Sequence, residues 1–111
     1  MKKAMVTRNA WVPAELLAKA KAKAKAEGYP LGAIVRIALR DYAAEPVPVP
    51  REEHRRGSLR QFSYLTPGEL HEQVKAAASD NGTTVAEVCR RGLALYVENP
   101  RGDHRAAGPG A

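Results

Sequence analysis

The chain has 111 residues, 44% of them hydrophobic but only 5% aromatic, so any core is built from Leu, Val, Ile and Ala and fills one small domain or two very small ones. Lys and Arg number 18 against 12 acids, a net charge of +6; this fits plain solubility or, as the sharper reading, a polyanionic partner, nucleic acid ahead of a membrane because no basic amphipathic helix with a bulky apolar face is present. A single cysteine, Cys89, excludes an internal disulfide and suits a reducing cytoplasm, and no sustained apolar run follows Met1-Lys2-Lys3, so neither a signal peptide nor a membrane span is expected.

Residues 6 to 12 read as a weak strand, after which Pro13 opens a helix where its missing N–H costs nothing. The lysines at 19, 21, 23 and 25 alternate with alanines, but both residue types favour helix and β-branched residues are absent. The helix therefore turns Leu16, Leu17, Ala20 and Ala24 inward and fans its lysines around a solvated surface; Gly28 caps its C-terminus. A second helix follows Pro30, with Leu31, Ile34, Val35, Ala38, Leu39 and Tyr42 at helical spacing, and stops before Pro46. Residues 47–59, beginning Val47-Pro48-Val49-Pro50 and continuing in charge, form an extended linker.

The pattern then returns. Gln61-Phe62-Ser63-Tyr64-Leu65-Thr66-Pro67 alternates as a short strand does, with Phe62 and Tyr64 on one side and Gln61, Ser63 and Leu65 on the other. A shift of 54 residues matches Pro13 to Pro67, Leu16 to Leu70, Gly28 to Gly82, Arg36 to Arg90, Leu39 to Leu93 and Tyr42 to Tyr96. So close a register implies an internal repeat. The expected organisation is a first half over 1–46, the linker, a second half over 60–99 and a disordered Gly/Pro-rich tail over 100–111. Neither half is large enough to hold a core alone, so the two strands are expected to pair.

Gly28 to Tyr42 and Gly82 to Tyr96 resemble the second-helix motif of the ribbon-helix-helix family of DNA-binding proteins, and Gln61 to Pro67 is similar to the strand and helix start of the Arc-type repressors. The resemblance spans about residues 6–46 and 60–99. It implies a mostly α fold with a short two-stranded antiparallel β-ribbon. With both copies in one chain, the expected fold is a tandem ribbon-helix-helix duplication, a monomeric pseudodimer in the order β-α-α-linker-β-α-α. The further implication is sequence-specific binding of double-stranded DNA, with the ribbon in the major groove, by a cytoplasmic, nucleoid-associated repressor or regulator of a prokaryote, phage or plasmid. An accessory role in plasmid partition, conjugation or phage recombination, an antitoxin and a plain interaction module are the alternatives; whether copies assemble further on DNA is open.

Alternation and resemblance together assign base reading to Thr7, Asn9 and Trp11 on one strand and Gln61, Ser63 and Leu65 on the other. Asn and Gln can bond adenine bidentately, Ser and Thr suit several base edges, and Leu65 or Trp11 can meet a thymine methyl. Because the strands differ, their base preferences should differ. Lys2, Lys3, Arg8 and Arg60 flank the strands and can neutralise phosphates, although strict alternation puts Arg8 with Ala10 and Val12 on the buried side. The resemblance also implicates the start of the second helix of each half in clamping the DNA backbone: Thr83, Thr84 and Val85, with Tyr29 at the corresponding place before Pro30. Thr84 to Glu87 is in addition a capping-box pattern. Cys89 falls among core positions, and His54, His71 and His104 lack ligand spacing, so no metal is proposed. No nucleophile–base pair, phosphate-binding Gly loop or carboxylate pair stands out, so neither catalysis nor a cofactor or small-molecule substrate is expected.

Overall fold

The computed structural model describes residues 4–49 and 57–98; Lys2 and Lys3, the middle of the expected linker and the expected tail lie outside them. The elements run β1 (Met5–Pro13), α1 (Ala14–Glu27), α2 (Leu31–Ala44), β2 (Leu59–Pro67), α3 (Gly68–Asp80) and α4 (Val85–Glu98). β1 and β2 pair antiparallel over their whole length, from Met5 opposite Pro67 to Pro13 opposite Leu59. Both strands start earlier than their alternation indicated, because backbone pairing carries them past the side chains that show the pattern.

The tandem duplication of ribbon-helix-helix units needs correction. Among the described residues there is one two-stranded sheet and four helices in the order β-α-α-β-α-α. A repeated unit with its own ribbon is therefore not present; each β-α-α segment supplies one strand to a single sheet.

The helices grow directly out of the strands. Pro13 and Pro67 keep extended backbones (ψ 133° in each) and cap α1 and α3 from outside, so the helices begin one residue later than a proline in the first turn would place them. The first amides of a helix have no acceptor within it. Here Ala14 N–H donates to Ser58 O (2.8 Å) and Gly68 N–H to Ala4 O (2.9 Å). Each helix start is thus tied to the chain just ahead of the other strand, and ribbon and helices are fixed to each other at both ends. At the far end of α1, Gly28 takes a left-handed conformation (φ 79°) that a side chain would strain, and its N–H closes on the last carbonyls.

One continuous core lies beneath the ribbon. Ala10, Val12, Tyr64 and Thr66 point down from the strands, Leu17, Ala20 and Ala24 from α1, and Leu70, Val74 and Ala78 from α3. Ile34, Val35, Leu39 and Tyr42 of α2 meet Val88, Cys89, Leu93 and Tyr96 of α4 at its centre. Removing one such Leu side chain from water stabilises the fold by about 1.5–3 kcal/mol. The α2–α4 crossing is tight: a Cβ on Gly92 would lie 2.4 Å from Ala38 Cβ. Lys23 departs from the expected solvated row, since its Nζ donates to Tyr96 O (2.7 Å) and lies 4.8 Å from that ring's centre, while Tyr96 Oη donates to Glu27.

Candidate nucleic-acid interface

The alternation of β1 and β2 divides the ribbon into two faces. Even-numbered residues from Arg8 to Val12 and from Phe62 to Thr66 lie toward the helices, fully or partly buried. Thr7, Asn9, Trp11, Gln61, Ser63 and Leu65 are all exposed on the other face. The register sets them in three cross-strand pairs, Thr7 with Leu65, Asn9 with Ser63, and Trp11 with Gln61. Directly opposed side chains on such a ladder stand about 5 Å apart, so the six form one compact patch.

Its centre is the Asn9–Ser63 pair, in which Ser63 Oγ donates to Asn9 Oδ1 at 2.6 Å. That bond holds the amide upright and leaves its Nδ2 donors and the Ser63 lone pairs available to a ligand. Trp11 and Leu65 occupy opposite ends of the patch, each half exposed. Neither strand contains a carboxylate, whereas each contains one arginine, Arg8 and Arg60. A polyanion can approach this face without meeting an acid on the ribbon itself.

Two further arginines brace the ribbon from below. Arg36 Nη1 of α2 donates to Leu65 O (2.8 Å), and Arg90 Nη1 of α4 donates to Trp11 O (2.6 Å). In a two-stranded sheet both strands are edges, so outward carbonyls lack ladder partners; these guanidiniums occupy two of them, those of Trp11 and Leu65, whose side chains are exposed on the open face. Arg90 Nε also meets the buried Glu87 carboxylate at 3.3 Å. Sequence reading placed both arginines only as matched positions of the repeat. Their one signal was that shared register.

A search of protein-family models, of curated proteins and of solved structures finds no match to this chain.

The residues expected at phosphates are placed less uniformly. Arg8 is on the helix-facing side, opposite Tyr64; its Nε is buried without a hydrogen-bond partner while Nη1 reaches Thr7 O at 3.4 Å. Its positive charge, after burial, holds the His71 imidazole below its ordinary pKa, and His71 Nδ1 is likewise buried and unpartnered. Arg60 is exposed, with Nη1 turned back onto Gly57 O and Leu59 O (2.9 and 3.0 Å). Tyr29 is exposed ahead of α2, its N–H closing on Ala24 O. At the start of α4, Thr83 N–H is taken by Ala78 O, and Thr83 Oγ1 is buried and unpartnered. Thr84 Oγ1 accepts the Glu87 N–H at 3.2 Å, while the Glu87 carboxylate turns to Arg90, so only the Thr84 side of the capping box is seen. Val85 is the half-buried first residue of α4.

Below the ribbon, Cys89 Sγ lies 3.6 Å from Tyr64 Oη. Burial pushes the thiol up to about 11 and raises the phenol as well. The pair is a buried polar contact in an apolar setting and offers no reactive thiolate at neutral pH. Among the described residues no group of His, Cys, Asp and Glu is gathered to hold a metal, and no helix is long and apolar enough to cross a membrane.

Proposed function

We propose that this protein binds double-stranded DNA in a sequence-specific way, with the open face of the β1–β2 ribbon in the major groove, and acts as a small transcriptional regulator. The observation that carries the reading is the patch itself: six exposed side chains in three cross-strand pairs on a ribbon free of carboxylates. A two-stranded ribbon matches the roughly 12 Å width of the major groove, and side chains alternating outward from it reach base edges. The net charge of +6 supplies attraction to the backbone, which positions the ribbon but reads no sequence. The likeness to the ribbon-helix-helix repressors supports the same reading.

The chain contains its own reporter. Trp11 is the only tryptophan and is half exposed on the proposed contact face, so its emission should change on binding. Titrating a duplex selected from random sequence, and an unselected duplex, against that signal tests the proposal. The expected result is tighter binding of the selected duplex, with log affinity falling linearly with log salt. Arg8 faces the helices, so if Lys2, Lys3 and Arg60 each neutralise one phosphate the slope is about −2.7. Equal affinity for both duplexes refutes sequence-specific reading. Asn9→Ala and Gln61→Ala should weaken the selected complex without moving the melting temperature, since both side chains are exposed.

A further inference from the structure

The two ends of the ribbon share one scaffold and carry different side chains. An antiparallel pair has a local two-fold axis, and here it passes through the Asn9–Ser63 pair. That axis relates Trp11 to Leu65 and Thr7 to Gln61. The backbone beneath the related positions is anchored alike, Trp11 O by Arg90 and Leu65 O by Arg36, and the two apolar side chains are equally exposed, 50% in each case. The helix starts are tied alike as well, through Ala14 N–H and Gly68 N–H.

What differs is the chemistry offered outward. One end presents an indole beside a long amide (Trp11 and Gln61), the other an isobutyl group beside a hydroxyl (Leu65 and Thr7). At the centre an amide is bonded to a hydroxyl, so the axis itself joins unlike groups.

Resting on the reading of this face as a DNA-binding surface, we propose that the cognate duplex is non-palindromic and is held in a single orientation, with Thr7, Asn9 and Trp11 against Gln61, Ser63 and Leu65 as the residues that set it. Gln61 can bond an adenine bidentately and Thr7 cannot; Leu65 and Trp11 can each meet a thymine methyl, but a compact isobutyl group and a flat, wide indole demand different neighbours around it. The backbone anchors impose no such difference; beyond Met5 against Leu59 and Val6 against Arg60 at the ribbon ends, the outward asymmetry resides in these six side chains. Phosphate contacts at the helix starts are unlike too, Pro30 preceding α2 and Thr84 preceding α4, but they carry no base information.

The test makes the ribbon symmetric. In the full-length chain, Thr7→Gln, Asn9→Ser and Trp11→Leu together give both strands the same three outward residues. All three positions are exposed, so the core is untouched. A second variant, Gln61→Thr, Ser63→Asn and Leu65→Trp, makes the opposite symmetric ribbon, so the test survives if one of them folds poorly. Each protein is used to select binding sites from random duplexes, with folding checked by circular dichroism. The wild type should enrich a site without a dyad, and each variant a palindrome, the two palindromes being built from opposite halves of the wild-type site. Replacing one half of the wild-type site by the inverted copy of the other should weaken wild-type binding by roughly five- to hundred-fold per mismatched base pair. A palindrome selected by the wild type, or an asymmetric site kept by both variants, overturns the inference while leaving DNA reading intact. No enrichment by any of the proteins overturns the DNA-binding reading itself, and this inference with it.

Discussion

Gly92→Ala tests the helix crossing that supports the ribbon. In an isolated helix the change is favourable, since Ala exceeds Gly by about 1 kcal/mol. Here the new Cβ would sit 2.4 Å from Ala38 Cβ, a methyl fixed to backbone that cannot swing aside. α2 and α4 must then separate, loosening Leu39 and Leu93, both almost fully buried. Overpacking costs about 1–3 kcal/mol and occasionally more; a 2.4 Å contact with an immovable methyl belongs to the upper part of that range, about 2–3 kcal/mol, so the clash outweighs the propensity gain and the net loss is about 1–2 kcal/mol. In thermal unfolding that corresponds to a fall of roughly 4–12 °C. The decisive measurement is a double-mutant cycle by urea denaturation. Ala38→Gly alone should lose about 1 kcal/mol through propensity, but in the double variant it removes the colliding methyl and should return stability close to wild type. The coupling is then about 2–3 kcal/mol, well beyond the additivity error of distant sites. A Gly92→Ala protein more stable than wild type, or losses that merely add, would refute the close approach of α2 and α4.

Arg36→Ala and Arg90→Ala each release a carbonyl of the ribbon, at Leu65 and Trp11; the first should cost about 1 kcal/mol and the second more, because it also strips the buried Glu87 carboxylate of its ion pair, and both should speed amide exchange in β1 and β2 ahead of the helices, whereas uniform exchange would show that the guanidiniums do not brace the strands. The His71 imidazole is lowered in the folded state by burial and by Arg8, so the unfolded chain takes up the proton first. The stability this group supports is complete above its ordinary pKa of about 6.5 and is lost as pH falls from there through the folded value; His71→Leu should flatten urea midpoints between pH 7.5 and 5, and an unchanged slope would rule His71 out. Cys89, raised to about 11, holds roughly a thousandth of its thiol as thiolate at pH 8, so native protein should resist iodoacetamide for as long as it stays folded, and urea-unfolded protein should react at an ordinary rate.

The faces of the ribbon were legible in the sequence because period-2 alternation needs no tertiary knowledge, and Asn9, Gln61 and Ser63 could be placed outward on that basis alone. The α2 and α4 core was legible for the same reason at a period near 3.6: Ile34, Val35, Leu39 and Tyr42 and their counterparts at 88, 89, 93 and 96 are buried as spaced. The repeat in spacing, by contrast, led to an expected duplication of the whole unit, and the structure has one sheet. Spacing reports which residues face inward, not whether two segments are copies of one unit. Arg36, Arg90 and Lys23 escaped for another reason. Long side chains reach across elements, so their partners depend on the distance between helix and strand, which no local pattern encodes. Thr66, fully buried on the inner face of β2, shows the converse, a polar residue carried inside by strand phase.

Asn9 and Ser63 touch although 54 residues of chain separate them. A ribosome adding about 5–20 residues per second therefore makes β1 roughly 3–10 s before β2, its pairing partner, exists. Throughout that interval the first strand is an open edge, able to accept any extended segment nearby, including β2 of a neighbouring nascent chain. Crowded polysomes thus offer this protein a route to strand-exchanged assemblies that dilute refolding would not reveal, and slower translation should widen it.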